Sequence, residues 1–376
     1  MRYTPEFLDS LRLEGDPVPD QIIEELAREG QIDDVNLVLK QLVRNTQPVP
    51  AELPDNIEFW LRDTAKLPAW ADPQRLARAS ALFVEHGLTM FMLFSTSSLL
   101  EAYAARKAIK VLTYTYRLEQ NAHRRVAETA QWLLAVLPPG GLSENGGGLR
   151  ATQKIRLMHS AIRYLIRQTG TWPEQELGTP ICQEDMLGMS LCLSLVVLRD
   201  MRELGIKLSD EDADDFLYQW RVIGELLGVR PDILPENFAE AEIAFKTITA
   251  RQHGPSPEGI KMARALLEMH ADLIPGETFD GIMPAFMRRL IGDQIADWLE
   301  LPRTGWEVVV QHDQAIARML DSTDRGAGGI ADIADRLGMA FLNRESIALN
   351  SYQRTAFAIP ETLREAWNVP THAAQA

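Results

Sequence analysis

The sequence has few of the residues that build disulfide frameworks or compact metal sites. It contains two cysteines, Cys182 and Cys192, and no CxxC pair. We therefore expect reduced, structural thiols rather than a disulfide scaffold or a zinc finger. It also has no HxxxH or HExxH pair, so a metal site held by two histidines of one helix is poorly supported.

Positive charge and long apolar runs are also scarce. The chain has 38 basic and 53 acidic residues, a net charge of −15, which argues against a general affinity for nucleic acid or anionic membranes. The most apolar stretch, 186–199, ends in Arg199 and Asp200 and is shorter than the roughly 18 residues that a membrane helix requires. We interpret it as a central buried helix. The first twenty residues carry charges and prolines where a secretory signal needs an apolar run, so we expect a cytoplasmic protein without an integral membrane segment.

Alternating runs of β-branched and aromatic residues are nearly absent, which predicts an all-α protein. The one serious strand candidate, residues 111–118, is flanked by helical periodicity, and we favour helix there as well. No internal repeat is visible. We predict one large helical domain over residues 67–345, preceded by an N-terminal helical extension at 1–66 and followed by a C-terminal tail at 346–376.

Three local patterns make specific predictions. The helix that begins after Asp72 should end near Gly87, because glycine commonly follows the last helical turn. The apolar stripe that follows, residues 90–94, could line a hydrophobic channel but is more often simply core. Ser209 with Asp212 three residues later predicts a capped helix start.

The most informative stretch is 123–168, two amphipathic helical patterns joined by a glycine-rich loop at 138–149. In the second pattern His159 shares an apolar face with isoleucines, and in the first Arg125 and Thr129 are four residues apart, so both could approach one ligand. Both helices have alternative interpretations in which these residues are only structural. A histidine on an apolar face is more often a core residue bonded to a carbonyl, and an arginine on a helix usually faces solvent or pairs with a carboxylate such as Glu128.

Five motifs, taken together in their order and spacing, resemble one known family. They are LPAW at 67–70 with Asp72, SSLLEAYAARKAIKVL at 97–112, RRVAET at 124–129, IRLMHSAIR at 155–163 and WRVIGELLGV at 220–229. Together they are similar to the catalytic domain of the rubber oxygenase (latex clearing protein) family, which also includes the fungal oxygenases of mycophenolic acid biosynthesis. The resemblance runs from Leu67 to Val229 and more faintly beyond.

The resemblance implies an all-helical fold around a b-type haem. Carried over by motif, His159 would be the axial ligand of the iron, and Arg125 and Thr129 the catalytic residues on the opposite side, with Arg125 also contacting the cofactor. The implied function is a haem b-dependent oxygenase that combines dioxygen with a small apolar organic substrate. The chain departs from the rubber-cleaving members at Glu128, where they have a lysine that can ligate the iron in a closed state, so a lysine-capped resting state is not expected.

Several alternatives stay open at this point. A haem-binding sensor or carrier without chemistry, or a helical protein without any cofactor, would give a similar sequence pattern. His123 or His270 could supply a second axial ligand, and Glu101 could approach the site as a base. The sequence does not identify the substrate. We expect it not to be rubber, because the N-terminus carries no export signal and that polymer lies outside the cell.

Overall fold

The structure, a computed structural model, describes residues 2–50, 52–114, 118–273 and 281–311. Within these ranges every regular element is helical and no strand occurs, so the prediction of an all-α protein is confirmed. An isolated β-bridge pairs Ala105 with His253.

The described elements form one long series of helices. The N-terminal ones are α1 (Pro5–Leu11), α2 (Pro17–Glu29), α3 (Ile32–Gln41) and α4 (Asp55–Asp63). The middle ones are α5 (Pro73–Leu93), a π-helical turn (Phe94–Ser98), α6 (Leu99–Tyr103), a 3-10 helix (Ala108–Tyr114), α7 (Leu118–Val136), α8 (Gly148–Gln168), α9 (Glu174–Leu177) and α10 (Gln183–Leu191). Then follow a second π-helical turn (Cys192–Val196), α11 (Val197–Glu203), α12 (Asp210–Leu226), a 3-10 turn (Pro231–Ile233), α13 (Phe238–Gln252), α14 (Pro257–Leu273), α15 (Ile282–Trp298) and α16 (Glu307–Gln311).

Helix α5 does not end at Gly87, so that prediction was wrong. The helix begins at Pro73, capped by the Asp72 side chain, and continues through Gly87 to Leu93. A glycine lowers helix propensity by only about 1 kcal/mol, and the buried apolar residues that follow it outweigh that cost. Met90 and Phe91 lie in the hydrophobic core, so this stripe is core rather than channel lining.

The central buried helix expected at 186–199 is present, but it is interrupted. A π-helical turn at Cys192–Val196 separates α10 from α11, and a similar turn at Phe94–Ser98 separates α5 from α6. Every residue of both turns is buried. The strand candidate at 111–118 is helical where it is described: residues 111–114 belong to a 3-10 helix, and Leu118 begins α7. The cap predicted at Ser209 is confirmed, because Ser209 and Asp212 form a reciprocal capping box.

Helix α8 lies between two apolar clusters. Leu157 and Ala161 on one of its faces belong to a cluster with the buried residues of α2, α3 and α4, whereas Ile162 and Ile166 on another face belong to the main core. This arrangement explains why α8 can be amphipathic yet almost fully covered. It places one face of α8 towards the N-terminal helices and the other towards the middle of the molecule.

Polar links reinforce the contact between α8 and the N-terminal helices. Arg156 Nη2 donates to Asp16 Oδ1 at 2.9 Å, and Arg163 Nε donates to Asp20 Oδ1 at 2.8 Å. None of the described helices combines the length and the apolar composition that crossing a bilayer requires.

Candidate functional site

A cavity of about 290 Å³ lies in the middle of the described part of the chain. Its walls come from α6, the first 3-10 helix, α7, α8, the α10 region and α12. Most of the lining side chains are apolar; they include Leu99, Val126, Ile155, Ile162, Leu193 and Leu227. A concave, mainly apolar space with a few polar groups is the usual character of a small-molecule site.

Two of the three residues singled out in the sequence line this cavity. Thr129 reaches it from α7 and His159 from α8, and both side chains are half-buried. On α8, Ile155 and Ile162 lie one turn to either side of His159 and line the same wall. The helical periodicity of α8 therefore directs the imidazole into the cavity rather than towards the N-terminal helices.

The third residue, Arg125, cannot be placed in the same way. It lies on α7, one turn before Thr129, but its side chain falls outside the described residues, as does that of His123. The assignment of Arg125 to the site therefore stays a prediction.

Two carboxylates also reach the cavity wall. Glu128 lines it from α7 beside Thr129, and Asp185 lines it from α10. Asp185 pairs with Arg12, whose Nη1 lies 2.8 Å from Asp185 Oδ1. Sequence reasoning missed Asp185, because nothing local in the sequence indicates that its partner comes from the N-terminal segment.

Two tryptophans form part of the cavity wall. Trp132 on α7 and Trp220 on α12 meet edge to face with their ring centroids 6.0 Å apart. The Trp132 indole Nε1 donates to Thr152 Oγ1 at 3.0 Å, which fixes the orientation of the ring and ties α7 to α8. Trp220 opens one of the family-like motifs, but its position on the cavity wall was not foreseen.

Glu101 does not line the cavity. It is 3% exposed and accepts a hydrogen bond from Arg199 Nη2 at 3.1 Å, and its Oε2 lies 3.5 Å from His253 Nδ1. Burial raises the pKa of Glu101 despite the neighbouring guanidinium. Its partners hold it in a separate polar cluster, so the structure does not support a role as a base in the cavity.

His270 does not line the cavity either. It is buried with its Nε2 3.4 Å from the carbonyl oxygen of Ser95, and burial lowers its pKa to about 4. The ring is therefore neutral at physiological pH and packs as a core residue. This arrangement does not support His270 as a second axial ligand on the cavity side.

The donor set of the cavity fits a haem better than a bare metal ion. Across the described ranges, no group of three or more His, Cys, Asp and Glu side chains is arranged to hold a metal ion, and His159 is the one described histidine on the cavity wall. A haem would need an imidazole to hold its iron and apolar surroundings for its macrocycle. His159 and the aliphatic walls have this chemistry, so the residues present are compatible with such a group.

The chain is similar to a known protein in sequence and to a solved structure in fold. The chain is 26% identical over 308 residues to the rubber oxygenase of Streptomyces sp. (strain K30). The aligned region covers 79% of this chain and 74% of that protein. The fold of this chain is similar to the structure of latex clearing protein LCP in the closed state, with a TM-score of 0.78, 23% identity, and coverage of 88% of this chain and 91% of that one. The structural likeness, at this identity, concerns the fold.

A match to a protein-family model establishes the family of this chain. The model described as "ER-bound oxygenase mpaB/B'/Rubber oxygenase, catalytic domain" matches residues 83–320, which is more than half of the chain. The matched range includes α7 and α8 with Thr129 and His159, and it contains all the cavity-lining residues. The chain therefore belongs to this family of oxygenases, as the motifs in its sequence predicted.

Proposed function

We propose that this protein is a haem b-dependent oxygenase that acts on a small apolar organic substrate with dioxygen as co-substrate. One observation carries the proposal: in a chain of an oxygenase family, Thr129 and His159 line the same apolar cavity from consecutive helices. Although two carboxylates reach its wall, most of the lining side chains are apolar, which suits an apolar substrate.

His159 would hold the cofactor. Its neutral imidazole would bind the iron through a ring nitrogen, and the apolar side chains around it would limit the access of water. Haem b, when bound, supplies the redox-active iron that activates dioxygen. The side chains of Ile155 and Ile162, on the same face of α8, would contact the apolar body of the macrocycle.

Thr129 and Arg125 would act on the reactants. The Thr129 hydroxyl can donate one hydrogen bond and accept others, so it can orient an oxygen atom within the cavity. An arginine at position 125 would stabilise negative charge that develops on a reacting oxygen atom, an electrostatic effect that is strong in a site of low polarity. The apolar walls would exclude water and hold the substrate near these groups.

The first test is the absorption spectrum of the purified full-length protein. We expect a Soret band with about one haem per chain, and oxygen consumption on addition of a member of a lipid and terpenoid panel. A Soret band without consumption of oxygen by any member of the panel would favour the sensor or carrier alternative. Absence of the band after expression with added haem precursor would contradict the cofactor assignment.

The second part of the test concerns the axial ligand. His159→Ala should lose stoichiometric haem but keep the helical circular dichroism, because one Fe–N bond anchors the cofactor while the apolar core maintains the fold. The matched control is Met158→Leu, a change of similar volume at a neighbouring cavity position, which should retain haem. An unchanged Soret band in His159→Ala would show that another residue ligates the iron.

A further inference from the structure

Ile181 adopts a backbone conformation that its side chain disfavours. Its φ is +51°, in the left-handed region, where a β-branched residue is a genuine outlier because its side chain crowds the backbone. Among the described residues other than glycine, Ile181 shares a positive φ only with Glu300. Strained residues of this kind persist only where the surrounding structure holds them, and they concentrate at binding sites.

Contacts on both sides hold Ile181 in this conformation. Arg163 Nη1 donates to its carbonyl oxygen at 3.1 Å, and the Arg163 guanidinium is itself buried against Asp20. Before Ile181, the Thr179 amide donates to the Arg12 carbonyl at 2.8 Å, and after it the Gln183 amide donates to the Glu14 carbonyl at 2.9 Å. The segment is therefore fixed to the N-terminal part of the chain and to α8.

The strained conformation places the Ile181 side chain on the cavity wall. Ile181 precedes α10 and lines the same cavity as Thr129 and His159, together with Asp185 and Met186 of α10. Glycine or asparagine would adopt this φ without strain, but glycine would leave no side chain at this point and asparagine would place a polar one there. A β-branched side chain with restricted χ1 makes a rigid wall.

We propose that Ile181 is a specificity-determining residue, whose strained backbone holds a rigid apolar side chain against the bound substrate. The inference rests on the proposed function for the identity of the site, because it assigns a substrate-contacting role to one wall of that cavity. It predicts a ligand whose surface against this wall is apolar and makes direct contact with the isoleucine. A substitution that relieves the strain at Ile181 should therefore lower ligand affinity without lowering stability.

The test uses the full-length protein as purified and the neutral apolar dye N-phenylnaphthylamine, whose binding is measured by isothermal titration calorimetry, a readout that bound haem does not quench. In Ile181→Gly and Ile181→Asn we expect dye affinity to fall about tenfold or more, because an apolar side chain is removed from the contact. The melting temperature should stay equal to that of the wild type or rise by a few degrees, because the backbone strain is relieved. Ile181→Val, which keeps the β-branch and most of the apolar surface, should retain most of the affinity.

Glu300 supplies the matched control. It has a φ of +55°, is exposed, and does not line the cavity, so Glu300→Gly should relieve comparable strain without changing dye affinity. Unchanged affinity in the two Ile181 variants, measured well below their melting temperatures, would overturn the proposal. A melting temperature lowered by several degrees in both variants would overturn the strain argument, whatever the affinity. Loss of the proposed haem function would appear separately, as a missing Soret band in the wild-type protein.

Discussion

At the scale of single residues, burial inside this molecule changes the ionisation of charged groups. Asp200 at the end of the apolar 186–199 stretch is an example, since its side chain is 0% exposed and its Oδ1 lies 3.4 Å from Arg199 Nε. Burial raises the pKa of Asp200 from 3.8 to about 7, against the opposing effect of the Arg199 guanidinium. In the sequence Asp200 is recognisable only as the end of an apolar run. Its burial could not be predicted, because burial depends on which helices pack around the residue.

This pKa gives a pH dependence with a defined sign. The folded protein binds the Asp200 proton more tightly than the unfolded chain, so the contribution of this residue to stability falls as the pH rises from about 4 to about 7. Asp200→Asn should therefore become progressively more stable than wild type across that window. At about 1.4 kcal/mol per unit, the difference in the free energy of unfolding should reach at most about 4 kcal/mol.

The measurement is urea denaturation of both proteins at a series of pH values. Asp63→Asn is the control, because Asp63 lies on the surface at the end of α4 with 54% of its side chain exposed. The control should track wild type within about 0.5 kcal/mol at every pH. If Asp200→Asn were less stable than wild type by a constant amount at all pH values, the carboxyl would be ionised in the folded protein and the assignment would fail.

At the scale of the elements, the loop between α7 and α8 matters because it joins the two helices that carry Thr129 and His159. The Asn45 side chain holds this loop by two hydrogen bonds. Asn45 Nδ2 donates to the Gly141 carbonyl at 3.1 Å, and Asn45 Oδ1 accepts from the Leu149 amide at 2.9 Å. The loop residues do not appear on the wall of the cavity. The glycines therefore serve close packing of the loop on itself rather than contact with a ligand.

Two glycine substitutions should have opposite effects. A Cβ on Gly146 would overlap the carbonyl oxygens of Gly140 and Gly141, so Gly146→Ala should destabilise the protein by about 1–3 kcal/mol. A Cβ on Gly87 would meet Phe83 at an ordinary 3.6 Å, and alanine favours helix, so Gly87→Ala should stabilise α5 by about 0.5–1 kcal/mol. Thermal and urea unfolding of the two variants would test this. Equal effects of the same sign would contradict the local packing described for either glycine.

The elements show what the sequence could and could not predict. Helical periodicity and the capping pattern at Ser209 predicted the helix type and one boundary correctly, because both depend on neighbours in sequence. The end of α5 was misplaced, since burial of the following apolar turns overrides a glycine. The π-helical turns at Phe94–Ser98 and Cys192–Val196 carry no local pattern, because an extra residue in a helical turn is fixed by tertiary packing.

The same division applies to the candidate site. The apolar face around His159 and the spacing from Arg125 to Thr129 are local patterns, and family motifs gave them a chemical meaning. The presence of Thr129 and His159 on one cavity follows from the packing of α7 on α8, which the resemblance implied but the periodicity alone did not. Asp185 and Ile181 could not be found from the sequence, because an ion pair with Arg12 and a left-handed backbone are both set by the N-terminal segment.

At the scale of the whole molecule, α8 connects the N-terminal helices to the cavity. Leu157 is 0% exposed and packs with α2, α3 and α4, whereas His159, two residues later, faces the cavity. The division into an extension at 1–66 and a domain that begins at residue 67 remains a sequence prediction. Because both share α8, we expect the N-terminal helices and the cavity to unfold together rather than as separate units.

Leu157→Ala tests this coupling from the side of α8 that is remote from the cavity. Deleting a fully buried leucine side chain should lower the free energy of unfolding by about 2–5 kcal/mol. Leu134→Ala on α7, where the leucine is 40% exposed, should change it much less. Urea unfolding would be followed by circular dichroism for the helices and by release of N-phenylnaphthylamine for the cavity. We expect the two transitions to coincide and to be displaced equally in Leu157→Ala, because one helix supports both regions.

The opposite outcome is that Leu157→Ala loses part of the helical signal at lower urea but releases the dye at the same urea concentration as wild type. The N-terminal helices would then be an independent unit, and the cavity would not depend on them.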